Sequence, residues 1–198
     1  MRLDPRSPLV VNTHRLGRRP GSMLTLELSV PAPADLGIEL MGVPEGSPVA
    51  IEMRLEAVME GVLASGTAST SLVGECARCL NPIEDTLEVT FQELYVYPES
   101  DAGADEADRL EGELFDLEPV FRDAVVLALP FQPVCEPDCQ GLCLECGVRL
   151  NDHPGHAHEE SVDPRWASLL ALETDIASPS AGDEQIRSAG RGASTDEE

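Results

Sequence analysis

Alternating apolar and polar residues predict an antiparallel sheet in the first half of the chain. Residues 24–30 alternate in this way, and residues 49–59 do so more clearly. In the second segment Ile51, Met53, Leu55, Ala57 and Met59 would share one face. Two further strand-like segments follow at 61–73 and 87–92, and the short C-x2-C segment between them is predicted to be a turn. We therefore predict a β meander in which each strand is half-buried.

Helical signals follow the strands. Asp116 can cap a helix that has Pro119 in its first turn, and apolar residues recur at helical spacing until Pro130 ends it. Residues 163–166 (DPRW) mark a second helix start. We predict an α+β fold: an antiparallel β meander covered by one or two helices, with a Cys-rich zinc-binding C-terminal segment.

Charge divides the chain into three parts. The 198 residues carry 13 basic and 37 acidic side chains, for a formal net charge of −24, yet residues 1–22 hold five Arg against one acid. We predict a basic N-terminal arm over 1–22, one domain over 23–172 and a disordered acidic tail over 173–198. Within the domain, the acid-rich stretch 99–118 is predicted to be a solvated loop.

The charge and the hydropathy exclude some partners. Broad binding to nucleic acids or anionic membranes needs many Lys and Arg, so any contact with nucleic acid would be local. No window approaches the roughly 18–20 apolar residues of a membrane helix. Arg2, Asp4 and Arg6 stand where a signal peptide would become apolar. We expect a cytoplasmic protein without a membrane partner.

Six cysteines give the strongest chemical signal. They are Cys76, Cys79, Cys135, Cys139, Cys143 and Cys146. In a reducing compartment, such spacing favours metal ligands over disulfides. A C-x2-C turn supplies two thiolates to a tetrahedral ion, and two such turns are present. We predict a structural zinc ion held by four of these thiols.

Two ligand sets compete. One is the local quartet of cysteines within 135–146, and the other combines the two C-x2-C turns, Cys76/Cys79 and Cys143/Cys146. We favour the local quartet because it needs no long-range loop closure. Unliganded buried thiols, a redox pair at Cys76 and Cys79, and an iron–sulfur cluster are the alternatives to zinc. The histidines at 153, 156 and 158 are better explained as a polar loop, since the thiols suffice.

A small cationic patch precedes the first long strand. Arg15, Arg18 and Arg19 lie beside Pro20 and Gly21, which place them on a loop. Guanidinium groups suit phosphate contacts, so these arginines are candidate ligands of RNA or of another partner. Pairing with the chain's own acids is an equal alternative. The sequence contains none of the motifs H-E-x-x-H, G-x-S-x-G, G-x-x-x-x-G-K-[ST] or G-x-G-x-x-G.

Several motifs stand in one order along the chain. They are RLGRRPGS at 15–22, CARCL at 76–80, DLEP at 116–119, DAVVLALP at 123–130 and CQGLCLECG at 139–147. Together they resemble the large ribosomal RNA subunit accumulation protein YceD family over about residues 9–172, and DPRWASL at 163–169 is similar to its actinobacterial form.

The resemblance implies a non-enzymatic cytoplasmic factor needed for accumulation of 23S ribosomal RNA. Family members need not all carry the second Cys cluster, which favours a stabilising role for the metal. The acidic surface suits a basic ribosomal protein, and the arginine loop suits rRNA or a precursor particle. The rival hypotheses are a thiol-redox or metal-dependent enzyme using Cys76 and Cys79, and a zinc-ribbon adaptor for another basic partner.

Overall fold

The computed structural model of the chain describes residues 3–100, 108–158 and Arg165, and it divides the chain into two units, Met1–Pro154 and Gly155–Glu198. The elements of the first unit are β1 (Val10–Asn12), β2 (Met23–Pro31), β3 (Leu36–Ile38), β4 (Met41–Val43), β5 (Pro48–Ala57), β6 (Gly61–Glu75), β7 (Pro82–Val96), β8 (Leu114–Asp116) and α1 (Glu118–Ala128). In the second unit, the rings of His156 and His158 pack edge to face with centroids 4.6 Å apart. The predicted fold class, an antiparallel sheet with a helix, is confirmed.

Strand β6 is the centre of a six-stranded sheet. On one side it pairs with β7 along its whole length, from Gly61 opposite Val96 to Glu75 opposite Pro82. Its other side pairs first with β5 and then, near its end, with β4. Strands β2 and β3 lie outside β5 and β4, and all of these pairings are antiparallel. The predicted meander therefore forms the core of the sheet.

The burial of β5 follows the predicted alternation. Its buried side chains are Val49, Ile51, Met53, Leu55 and Ala57, whereas Glu52 and Arg54 point to solvent. The placement of Met59 on the buried face was wrong, because β5 ends at Ala57 and the chain turns before β6, leaving Met59 81% exposed. A turn reverses the chain and so breaks the two-residue period.

Helix α1 begins and ends near the predicted signals, but its N-cap residue is Leu117, so the predicted capping by Asp116 was wrong. A carboxylate oxygen of Asp116 accepts a hydrogen bond from the backbone N–H of Glu118 at 2.9 Å, and Pro119 lies in the first turn. The helix ends at Ala128, two residues before Pro130. It contacts β7 and β3 and buries Phe121, so it covers the sheet as expected. Within the described ranges, no helix is both long and apolar enough to cross a membrane.

Two short strand pairs lie where the sequence predicted none. Strand β1 pairs with β8, with Val11 opposite Phe115, and both side chains are buried. Strand β8 thus occupies part of the stretch 99–118 that was predicted to be a solvated loop, and that prediction was wrong for residues 114–116. The second pair is β3 with β4. The second helix predicted from 163–166 lies, apart from Arg165, outside the described residues, as does the predicted tail over 173–198.

Two buried tyrosines differ in the hydrogen bonding of their hydroxyl groups. The hydroxyl of Tyr95 donates to the carbonyl of Asp116 at 3.1 Å. The hydroxyl of Tyr97 is buried and has no hydrogen-bond partner among the residues that the structure describes. A buried unsatisfied polar group costs about 1–3 kcal/mol, whereas a typical hydrogen bond contributes about 1 kcal/mol.

We therefore expect opposite results from the two Tyr→Phe substitutions. Tyr97→Phe should leave the free energy of unfolding unchanged or raise it by about 1 kcal/mol, because it removes an unsatisfied hydroxyl. Tyr95→Phe should lower it by about 1 kcal/mol, because the Asp116 carbonyl loses its donor. Urea unfolding of both variants measures the difference. An equal loss of stability in both would contradict the assignment.

Candidate metal centre and basic loop

Four thiols converge at the end of β6. The Sγ atoms of Cys76 and Cys139 are 3.8 Å apart, and those of Cys79 and Cys135 are 3.5 Å apart. All four sulfur atoms lie within 4.8 Å of one another. Four Zn–S bonds of about 2.3 Å in a tetrahedron place the sulfurs about 3.8 Å apart. The observed spacing therefore fits four thiolates around one ion.

The β6–β7 hairpin shapes the first pair of ligands. Cys76 directly follows β6, and its backbone N–H donates to the carbonyl of Asn81 at 2.8 Å, one residue before β7. The N–H of Leu80 donates to the carbonyl of Cys76, and Leu80 has a φ of +60°. The N–H of Arg78 points at the Cys76 sulfur at 3.4 Å. The predicted position of this C-x2-C turn between two strands is confirmed.

The second pair of ligands comes from the segment after α1. The N–H of Ala77 donates to the carbonyl of Pro133 at 2.8 Å, and an Arg78 guanidinium nitrogen donates to the carbonyl of Cys139, also at 2.8 Å. Gly141 has a φ of +81°, and a Cβ added there would lie 3.2 Å from the Arg78 carbonyl. These hydrogen bonds connect the two ligand-bearing segments directly, without a metal ion. The spacing of the cysteines gave no signal for these roles of Arg78 and Gly141.

Burial and hydrogen bonds separate the acidities of the thiols. Cys76, Cys79 and Cys139 are at most 3% exposed, and Cys135 is half-buried. Burial raises the pKa of the Cys76 thiol, but the backbone N–H donors of Cys135, Cys79 and Arg78 outweigh it and lower that pKa to about 6. The hydrogen bond with the Cys79 thiol raises the pKa of Cys135 to about 12. Because a metal binds thiolates, its binding would release protons from this cluster.

The donor set fits a closed structural site. Soft thiolates select metals such as zinc, and a set of four cysteines fills all four tetrahedral positions. No position then remains for a bound water or substrate, which a catalytic zinc site requires. The cluster is therefore compatible with a metal such as zinc.

The structure groups the thiols differently from both expected ligand sets. Cys135 and Cys139 lie beside Cys76 and Cys79, whereas the favoured local quartet joined them to Cys143 and Cys146. We favoured the local quartet because of the entropic cost of closing a long loop, but this cost grows only logarithmically with loop length. Pairing of β6 with β7 and packing of α1 on β7 already bring the distant segments together. Tertiary structure thus removes most of the advantage of the local set.

The second C-x2-C segment forms a tight turn of its own. The N–H of Gly147 donates to the carbonyl of Cys143 at 2.9 Å, and the N–H of Cys143 donates to the carbonyl of Val148 at 2.8 Å. Gly147 has a φ of +72°, a conformation that glycine adopts without strain. The proposed metal-binding role of Cys143 and Cys146 stays a prediction.

The arginine loop is anchored in the core, but its three arginines differ. Leu16 is buried, and the guanidinium of Arg18 lies over the Tyr97 ring at 4.8 Å while pairing with the carboxylate of Glu99. Arg18 is therefore engaged by the chain's own groups. Arg15 and Arg19 are exposed, and neither forms an ion pair within the part of the chain that the structure describes. These two arginines are the better candidates for contacting a partner.

Comparison with known proteins identifies a family and several relatives with similar sequences. The model of the family described as large ribosomal RNA subunit accumulation protein YceD matches residues 64–173, a range that contains all six cysteines. An uncharacterized protein of Mycobacterium tuberculosis strain H37Rv is 48% identical over 170 residues, covering 84% of this chain and 82% of the relative. An uncharacterized protein of Mycobacterium leprae is 40% identical over 177 residues, covering 87% and 79%.

A more distant relative has a functional name. The Zea mays protein named large ribosomal RNA subunit accumulation protein YCED homolog 1, chloroplastic, is 24% identical over 154 residues, covering 60% of this chain and 53% of that protein. No solved structure is significantly similar to the chain.

Proposed function

We propose that this chain, which belongs to the YceD family of large ribosomal RNA subunit accumulation proteins, supports the accumulation of 23S rRNA by binding rather than by catalysis. The observation that carries the proposal is the family match over residues 64–173. The closed four-thiol cluster supports a non-enzymatic role, because a filled tetrahedral site activates no water and holds no substrate.

The distribution of charge supports two separate binding surfaces, one acidic and one basic. Ribosomal proteins are basic, and a chain with a net charge of −24 complements them over a wide surface. The exposed Arg15 and Arg19 form a local cationic site that suits phosphate groups. We infer that the acidic surface holds a basic ribosomal protein while the arginine loop contacts rRNA of the large subunit or its precursor particle.

We infer that zinc occupies the cluster of Cys76, Cys79, Cys135 and Cys139 as a structural ion. The ion would fix the segment after α1 against the end of the β6–β7 hairpin. A zinc ion held by reduced thiols suits a protein that works in the reducing cytoplasm.

Depletion of the protein from its host tests the function. We expect the ratio of 23S to 16S rRNA to fall and the tagged protein to sediment with precursors of the large subunit. Complementation with Arg15→Gln plus Arg19→Gln should restore the ratio poorly, and the variant should bind precursors about tenfold or more weakly, because two charge-assisted contacts are lost. RNA gel analysis and sucrose-gradient sedimentation measure both quantities.

Arg54→Gln is the matched control. Arg54 is exposed on β5, 3.9 Å from Glu56, and outside the arginine loop. Full complementation is expected from this variant. An unchanged 23S to 16S ratio on depletion would refute the proposed function, whereas equal behaviour of the two Arg variants would refute only the role of the loop.

A further inference from the structure

An open groove of about 420 Å³ lies beside the metal centre. Its walls come from the β3–β4 turn, the first C-x2-C turn and the segment after α1. Its main lining residues are Ile38, Leu40, Ala77, Arg78, Phe131 and Val134. The volume lies within the range of about 300–1,000 Å³ that is typical of binding pockets. The groove is therefore large enough to receive side chains of a partner.

The groove presents apolar side chains to solvent. Phe131 is 86% exposed and Val134 is 36% exposed, although both are large apolar residues. Exposed apolar residues that cluster around a concavity mark interaction sites more often than isolated ones do. An apolar group from a partner would remove Phe131 from water.

The charges around the groove are mostly negative. Glu39 belongs to its lining. Glu75 is exposed and lies next to the lining residue Leu40 along the backbone, since the Glu75 N–H donates to the carbonyl of Leu40 at 2.9 Å. The cation in the lining, Arg78, already donates to the Cys139 carbonyl. Such a rim repels phosphate and complements Lys or Arg.

We propose that this groove, the Phe131 groove, docks a basic protein segment that inserts an apolar side chain against Phe131 while its Lys or Arg residues face Glu39 and Glu75. The inference rests on the proposed function and deepens it, because it assigns the surface that holds a basic protein of the large subunit. It also separates this protein-binding surface from the arginine loop, which faces RNA.

The metal centre connects two walls of the Phe131 groove. Ala77 and Arg78 stand between the ligands Cys76 and Cys79, and the N–H of Ala77 is bonded to Pro133, which lies between Phe131 and Val134 in the sequence. An ion that joins the two ligand pairs would thus hold both walls at their present separation. Docking should therefore weaken when the metal is removed.

A photo-crosslinking experiment on the full chain tests the proposal. The variant Phe131→p-benzoylphenylalanine is mixed with proteins extracted from purified large subunits and freed of RNA. The control is Met59→p-benzoylphenylalanine, since Met59 is similarly exposed, at 81%, but precedes the opposite end of β6. We expect several-fold more protein adduct from position 131. Mass spectrometry should find it on segments rich in Lys and Arg that contain an apolar residue.

Charge reversal gives a second measurement. Glu39→Arg plus Glu75→Arg should lower the adduct yield at position 131 about tenfold, since like charges then face the partner. The matched variant Glu27→Arg plus Glu52→Arg changes two exposed acids on β2 and β5, outside the groove lining, and should leave the yield unchanged. Chelation of the metal should lower the yield at position 131 only.

Four results would overturn the proposal. They are equal adduct yields at positions 131 and 59, adducts with a second copy of this chain, adducts with added 23S rRNA in preference to protein, and insensitivity to the reversal at Glu39 and Glu75. The depletion experiment is independent of these results. A fall in 23S rRNA on depletion together with any of them would reject the groove and leave the proposed function intact.

Discussion

We expect Cys76→Ser to abolish metal binding by the four-thiol cluster and to lower the free energy of unfolding of the metal-loaded protein by several kcal/mol. Cys76 is fully buried, and a serine oxygen is a much poorer ligand for a soft site than a thiolate. Structural zinc contributes about 10–16 kcal/mol of binding free energy in small zinc-finger peptides at neutral pH. The loss here should be smaller, because the sheet has a core of its own. Metal analysis and thermal unfolding measure the two effects.

The matched variant Cys143→Ser distinguishes the ligand sets. Cys76 belongs to the observed cluster but not to the local quartet, whereas Cys143 belongs to the local quartet but not to the observed cluster. Cobalt substituted for zinc reports on four-thiolate coordination through its absorption spectrum. We expect the spectrum of the Cys76 cluster to survive in Cys143→Ser and to disappear in Cys76→Ser. The reverse pattern would show that the local quartet within 135–146 binds the ion.

The reactivity of the thiols distinguishes a structural metal site from redox catalysis by Cys76 and Cys79. With the metal bound, Cys76 and Cys79 should react slowly with alkylating reagents, because three of the four ligands are buried and all are coordinated. A redox enzyme would instead form a reversible disulfide between these two residues. Such a disulfide, formed while the metal content stays constant, would contradict the structural role.

Phe121→Ala should produce the second large effect, a loss of about 3–5 kcal/mol of stability. Phe121 is fully buried on the face of α1 that packs against the sheet. Phe121 belongs to the same buried cluster as Tyr95 and Phe115, and truncating a side chain in such a close-packed core leaves a cavity. Denaturant unfolding followed by circular dichroism measures the loss.

Phe131→Ala is the matched control, since it removes the same atoms ten residues later. Phe131 is 86% exposed, so its truncation should change stability by no more than about 0.5 kcal/mol. Comparable losses in the two variants would contradict the packing of α1. A stable Phe131→Ala protein would also show that altered docking in this region does not arise from unfolding.

The long elements could be predicted because their signals are local. Strand β5 has ten residues, enough for two-residue alternation to appear, and α1 has a proline in its first turn and Pro130 two residues after its end. Strands β1 and β8 have three residues each, too few for a period to be recognised. Their pairing depends on residues about 100 positions apart, which no local pattern encodes.

The candidate site was only partly predictable for the same reason. The sequence identified the six cysteines and the turn that holds Cys76 and Cys79, but not the partners of that turn. The partners are Cys135 and Cys139, which follow α1. Their position depends on how α1 packs against the sheet, which is a tertiary property. Likewise, the sequence placed Arg15, Arg18 and Arg19 on one loop, whereas only the structure shows that Arg18 is bound to Tyr97 and Glu99.

The length of β6 sets the distance between the arginine loop and the four-thiol cluster. The arginine loop joins the sheet where the Gly21 N–H donates to Ala57, which pairs with Val62 at the start of β6, and the four thiols follow its end at Glu75. Fifteen residues of strand span about 45 Å. The β6–β7 hairpin therefore fixes this separation. Deleting two facing residues from each of β6 and β7 would shorten the hairpin by about 7 Å and leave every side chain on its present face of the sheet.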